Sequence, residues 1–325
     1  MASNSNSAAV TLRHVAEEAG VSIRTVTRML KNEPGGNPET YERVRKVANR
    51  LGYVPNIAAR NLKIRSSNMV GLVTAAGGNE MRIRIRIALQ KQLEGAGKYF
   101  ISGMIERSGE QLERMLREWS GLARDVVFLT WPHELNPDKI LAGLPMRFIF
   151  VDCLDAPAYD TVLIDRIAGI REGIKLLIKT GRRRIARCGP DMPTRRRGFN
   201  SAFGEKSLAM TEKFEITTAG IGMKEGYDAG TEIMKKAADA VFFETDNLAF
   251  GFYKYAHERG IRIPDDIAVV GFNDNPAGLY ACPALSSVAL PIEAMAGEVC
   301  DMIVKPQKKP RKVTFPASFV RRESA

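Results

Sequence analysis

The chain has 325 residues, 45% of them apolar and 26% charged, which excludes a single ordinary domain and suits two or three packed units. No apolar run reaches the ~18 residues that a membrane span needs. Of the formal charge of +11, residues 1–66 carry +6, with eleven Lys/Arg against five Asp/Glu; a positive field concentrated in this way suits phosphate binding.

The opening MASNSNSAAV is small and polar, without a basic segment followed by an apolar one, so residues 1–10 are expected to be disordered and the chain cytoplasmic. From Thr11, the run TLRHVAEEAG sets Leu12, Val15, Ala16 and Ala19 at helical spacing, with Thr11 as cap and Gly20 as terminator. Val21 is a buried anchor and Ser22 a second cap for a helix from Ile23 to Leu30, with Val26 and Leu30 facing inward and Arg24, Thr25, Thr27 and Arg28 facing outward. Two short helices joined in this manner form a helix-turn-helix, whose second helix presents its N-terminal side chains to the major groove. Asn37 and Pro38 begin a third helix that runs to Leu51, with Val44, Val47, Ala48 and Leu51 on one face and Gly52 as its stop. The following YVPNIAARNLKIRSSN allows a helix of some eight residues through Lys63, too short to be stable in water without a partner.

From Met69 strands and helices alternate, a pattern of parallel sheets covered on both faces. MVGLVTA, YFISGMI, DVVFLTW and RFIFVD read as strands of one lobe, and RRIARCG, KFEITTA, AVFFET and DIAVVGF as strands of a second. In such sheets a ligand lies beyond the carboxyl ends of the strands.

Catalysis finds no constellation. His14, His133 and His257 do not cluster, HExxH, GxSxG, Walker and EF-hand patterns are missing, and GIGMKEG at 220–226 spaces its glycines wrongly for a dinucleotide fingerprint. Cys153, Cys188, Cys282 and Cys300 lie far apart without a CxxC pair and read as small core residues. No enzyme activity, cofactor or metal is expected.

The run VTLRHVAEEAGVSIRTVTRML, the third helix ending in LGYVPN, and AARNL ahead of a basic hinge resemble the lactose/purine repressor (LacI/GalR) family of bacterial transcription regulators, over the whole chain. The resemblance implies a helix-turn-helix domain at 11–55, a hinge helix and linker at 56–67, and at 68–325 an effector-binding and dimerisation domain of two doubly wound α/β lobes like a periplasmic binding protein. It implies base reading by Ile23, Arg24 and Arg28, phosphate contacts by Ser22 and Thr27 beside Thr25, and a hinge that uses Asn56 and Ala59, with Leu62 as a minor-groove wedge. His14 stands where the family usually has Asp and is expected to make a backbone or phosphate contact. For the effector the resemblance points to Asp152, Arg195, Ile221, Thr245, Asp246 and Asn273; Asp152 and Asp246 equally suit capping. It also implies that SSVALPIEAMAGEVCDMIV supplies a return strand and helix to the first lobe.

Three departures bear on the effector. Ile221 replaces an aromatic clamp, Thr245 and Asn273 replace the usual Asn and Asp, and GGNEMRIRIRI adds Arg82, Arg84 and Arg86, which a helix cannot aim in one direction. The expected partners are therefore a palindromic double-stranded operator bound by a homodimer on the nucleoid, no membrane, and an effector that is a sugar, a sugar acid or a phosphorylated metabolite, with the anionic classes favoured. The rival expectation is a cytoplasmic sugar-binding receptor without DNA function.

Overall fold

The computed structural model describes residues 10–30, 37–53, 68–75, 80–105, 108–203 and 213–325. The chain divides into two compact units, Met1–Ser66 and Ser67–Ala325.

In the first unit, α1 (Leu12–Ala19) begins at a capping box: the Thr11 hydroxyl accepts from the His14 amide, and the His14 imidazole accepts from the Thr11 amide at 3.3 Å. His14 thus makes a backbone contact. Gly20, at φ 63°, ends the helix by donating its amide to the carbonyls of Ala16 and Glu17, a left-handed position that favours glycine. In α2 (Ile23–Leu30) the first turn is capped by the Ser22 hydroxyl, which accepts from the Thr25 amide at 3.1 Å. For α3 (Pro38–Arg50), the Asn37 side chain accepts from the Glu39 amide at 2.9 Å, and Pro38 sits where an amide hydrogen has no helical partner. Val15, Ala16, Ala19, Val26, Met29, Val44, Val47 and Ala48 close the core. Met29 is the buried partner of Val26 along α2; the Leu30 side chain, expected there, lies outside the described residues, and α3 stops one residue short of Leu51.

The second unit holds two six-stranded sheets. The first contains β1 (Met69–Ala75), β2 (Tyr99–Ile105), β3 (Ala123–Phe128), β4 (Arg147–Val151), β5 (Asp160–Asp165) and β11 (Lys312–Pro316), ordered β11-β5-β4-β3-β1-β2 and parallel throughout. The second contains β6 (Ile185–Cys188), β7 (Glu215–Ile216), β8 (Ala240–Phe243), β9 (Ala268–Asn273), β10 (Ser286–Ala289) and β12 (Ser318–Val320), ordered β12-β10-β9-β8-β6-β7, with only β12 antiparallel to its neighbour. The interior strands are apolar runs such as Val126, Val127 and Phe128, fully buried because helices cover both faces. Strand order reverses at β1/β3 in one sheet and at β6/β8 in the other, and such reversals open a crevice at the carboxyl ends.

The covering helices are α4 (Glu80–Gly95), α5 (Gly109–Trp119), α6 (Pro137–Leu141), α7 (Arg166–Lys179), α8 (Pro193–Asn200), α9 (Met223–Lys235), α10 (Asp246–Glu258) and α11 (Ile292–Val304). The return segment expected in the first lobe is divided between the two: β10 pairs with β9 in the second sheet, whereas α11 packs on α4 of the first lobe. A register with the buried β9 satisfies the β10 backbone, and Met295, Val299 and Met302 then bury the apolar face of α11 in the core that both lobes share. The sequence reading omitted β5, and it drew KFEITTA as a full strand where only Glu215–Ile216 pairs. Cys282 is exposed, contrary to its core reading; Cys188 is buried.

Candidate nucleic-acid interface and cleft between the lobes

Along α2, Arg24 and Arg28 stand four residues apart, so they share a face, and both are exposed beside Ile23, whose side chain is 43% exposed. Thr25 and Thr27 are half-buried. Ser22 and Thr25 share a hydroxyl contact at 2.9 Å, and the Thr27 hydroxyl donates to the Ile23 carbonyl at 2.8 Å. A hydroxyl has one proton to give, so Thr27 has already spent the donor that a phosphate would need. Ser22, Ile23, Arg24 and Arg28 are the exposed side chains of this surface among the described residues. Asn56, Ala59 and Leu62 lie outside the described residues.

In the second unit, Arg195 sits in the first turn of α8, where Pro193 starts the helix after the β6 end. Its Nη1 donates to the Glu244 backbone carbonyl and lies 3.5 Å from Glu244 Oε2, and its guanidinium stacks 3.9 Å over the Phe272 ring. Burial lowers the Arg195 pKa to about 10, against the pull of the Glu244 carboxylate. Glu244 directly follows β8 with no exposed side-chain area, and Arg187 of the adjoining β6 donates to its Oε1 at 2.5 Å. Burial pushes the Glu244 carboxyl up, and the two guanidinium groups oppose that shift. Arg187 also binds Glu215, which pairs with Arg196 at 2.9 Å, and Arg196 in turn reaches Asp191 at 2.8 Å.

Sequence reasoning missed Arg187, Glu244 and Glu215. The available signal was a charge inside IARC and another directly after AVFF, two apolar runs in which an unpaired charge would be prohibitive. That the two charges face each other depends on the β6–β8 pairing, which aligns Cys188 with Phe243 and cannot be read from one sequence.

The other expected effector residues fare differently. Asp152, at φ 54°, is tied to Arg166. The Thr245 hydroxyl has given its one proton to the fold: it donates to the Ile221 carbonyl at 2.8 Å and accepts from the Leu248 amide at 3.3 Å as the α10 cap. Asp246 is buried, accepting from the Asn275 amide and the Ser287 hydroxyl, each at 2.6 Å, so it anchors the turn after β9 and offers a ligand nothing. Ile221 contributes its carbonyl to Thr245 and remains half-buried. Asn273 Oδ1 is buried without a hydrogen-bond partner among the described residues. Of the added arginines, Arg86 is exposed, Arg82 is half-buried, and Arg84 donates to the carbonyls of Asn273 and Asp274. Arg195, Arg84 and Arg166 therefore already hold internal acceptors, which removes the ground on which an anionic effector was expected.

A capped helix-turn-helix in a basic unit, followed in the chain by two doubly wound lobes, defines a transcriptional regulator with an effector-binding unit. Residues 11–56 match the bacterial regulatory proteins of the lacI family, and residues 174–325 match the periplasmic binding protein-like domain. The HTH-type transcriptional regulator CelR of Thermobifida fusca is 31% identical over 314 residues, which are 90% of this chain and 91% of that protein. The HTH-type transcriptional regulator GalS of Salmonella typhimurium is 28% identical over 331 residues, 97% and 96% of the two chains. Among solved structures, a CelR–cellobiose complex is 26% identical with a TM-score of 0.68, covering 97% of this chain and all of that one. The lac repressor dimer bound to operator and the anti-inducer ONPF, 21% identical, shares the fold at a TM-score of 0.82 over 98% and 99% of the chains.

The chain belongs to the LacI family of bacterial transcription regulators, whose members are regulators and not enzymes. Among the described residues no helix is long and apolar enough to cross a membrane, and no cluster of His, Cys, Asp and Glu is placed to hold a metal ion.

Proposed function

We propose that this chain is a sequence-specific DNA-binding repressor that binds a palindromic operator as a homodimer and responds to a small-molecule effector lodged between the lobes. The observation that carries this reading is the exposed Ile23/Arg24/Arg28 face of a helix held rigid by the Ser22 cap, within a unit of net charge +6. An arginine fork on such a face matches guanine O6 and N7 in the major groove. Residues 11–55 form the reading head, 56–67 the hinge and 68–325 the effector and dimerisation unit. A hinge of that length is a marginal helix, so a small change in where it starts shifts it between helix and coil, and DNA affinity follows.

The effector is a sugar or a sugar derivative. Support comes from the β6/β8 reversal, after which Arg195 lies in the first turn of α8, from the unpartnered Asn273 Oδ1 at the end of β9, and from CelR, a relative solved with cellobiose. Genomic fragments selected on the purified full chain, followed by band shifts with wild type and the Arg24→Ala/Arg28→Ala variant, test the reading. Selective retardation by wild type alone is expected; a chain that binds sugars but prefers no duplex would instead be a sugar receptor.

A further inference from the structure

The cation of the effector cleft does not act alone. We propose that Glu244 is a specificity-determining residue: held by Arg187, it neutralises Arg195, so that the cleft takes neutral, hydroxyl-bearing ligands and rejects anions. The inference rests on the reading that the effector docks at Arg195.

Glu244 cannot withdraw from Arg195. Its Oε1 is fixed by Arg187 at 2.5 Å, and behind it the backbone of Gly189, at φ 150°, runs so close that a Cβ there would stand 2.4 Å from the Glu244 Cβ and Cγ. Only glycine permits that approach. The guanidinium is equally fixed, by the Glu244 carbonyl on its edge and the Phe272 ring on its face.

The charges are also paired along the network. Asp191 and Glu215 pair with Arg196, Glu215 and Glu244 pair with Arg187, and Glu244 is the acid paired with Arg195, so it is Glu244 that offsets the charge an approaching carboxylate or phosphate would meet there. Removing water from an anion in a neutral cleft is unfavourable, because no opposite charge compensates for the lost hydration.

One polar atom left over points to the same selectivity. Asn273 Oδ1, on a half-buried residue, is an acceptor without a hydrogen-bond partner among the described residues, whereas Glu244 Oε2 is engaged in the ion pair with Arg195. A hydroxyl group brings the donor that Asn273 Oδ1 would need, whereas a fully ionised phosphate or carboxylate group brings none.

Glu244→Gln keeps the shape and removes the charge. Calorimetric titration of the full chain with inorganic phosphate should give no saturable binding for wild type and a gain of about tenfold or more in affinity for E244Q, since one unit of charge beside the guanidinium has been deleted. Adding Arg195→Met to E244Q should abolish the gain. Because E244Q leaves the buried Arg187 with Glu215 as its remaining acid, a second variant, Arg187→Leu/Glu244→Leu, replaces the pair with apolar side chains, an exchange that folded proteins often tolerate; it also takes the carboxylate away from Arg195 and should show the same gain. Wild type binding phosphate as tightly as these variants, or no gain in either folded variant, overturns the role of Glu244. A gain that survives Arg195→Met overturns the placement of the ligand at Arg195.

Discussion

Arg84 on α4 of the first lobe donates from Nη1 to the backbone carbonyl of Asn273 in the second, at 2.7 Å, and to that of Asp274 at 2.9 Å. The receiving backbone is strained: Asn273 has φ 105° and Asp274 φ 52°. Asn275, next along, donates its side-chain amide to Glu80 of the same α4. One helix end thus clasps the turn at the rim of the cleft. Positive φ outside glycine costs on the order of 1–3 kcal/mol per residue and persists only where neighbours impose it.

Arg84→Met should therefore destabilise the second unit by about 1–3 kcal/mol, the usual loss for a charged donor to buried carbonyls. Thermal unfolding measures that loss, and amide exchange at residues 273–275 should accelerate. Unchanged exchange there would show that the turn holds itself.

Asp246 makes stability depend on pH. Burial raises its carboxyl to about 6, helped by the nearby Asp274 and Glu80 and opposed by the Asn275 amide and the Ser287 hydroxyl. A carboxyl that binds its proton more tightly when folded than when unfolded favours the native state at low pH. Its contribution then falls as pH rises from about 4 to 6, by up to ~3 kcal/mol, and stays level above that. Asp246→Asn cannot titrate. The stability difference between wild type and variant in urea should shrink across that window as pH rises; a constant difference would mean that Asp246 ionises normally.

At the DNA, Arg24→Ala should lose about 1–3 kcal/mol of discrimination at one base pair per half-site. Affinity measured against a set of single-base operator variants separates this from a uniform loss, which would assign Arg24 to phosphate.

The hinge is tested by Leu62→Ala. Operator binding should weaken while effector affinity stays as in wild type, because a wedge acts only when it unstacks a base step. Equal operator affinity would remove Leu62 from the interface.

The helix-turn-helix was legible in the sequence because its determinants are local: Thr11, Gly20, Ser22 and Asn37 each bond within four residues of themselves. The cleft was legible only in part. The family resemblance pointed to Arg195, but its partner Glu244 lies 49 residues away and Arg187 is brought in by strand pairing. The resemblance pointed to Thr245 and Asp246 as effector residues, with capping an equal reading for Asp246, yet Asp246 finds Ser287 from 41 residues away and Thr245 caps its own helix. The polar groups of a strand end are divided between ligand and fold by tertiary contacts, which one sequence does not contain.

The most direct test of the account is fluorescence anisotropy of the full chain on a duplex selected from the genome, in the presence of random-sequence competitor, for wild type and for Arg24→Ala/Arg28→Ala. Wild type should hold the selected duplex at least about 10³-fold more tightly than competitor, and the double variant should lose most of that preference. Equal affinity of wild type for selected and random duplexes, with or without a panel of sugars, would contradict it.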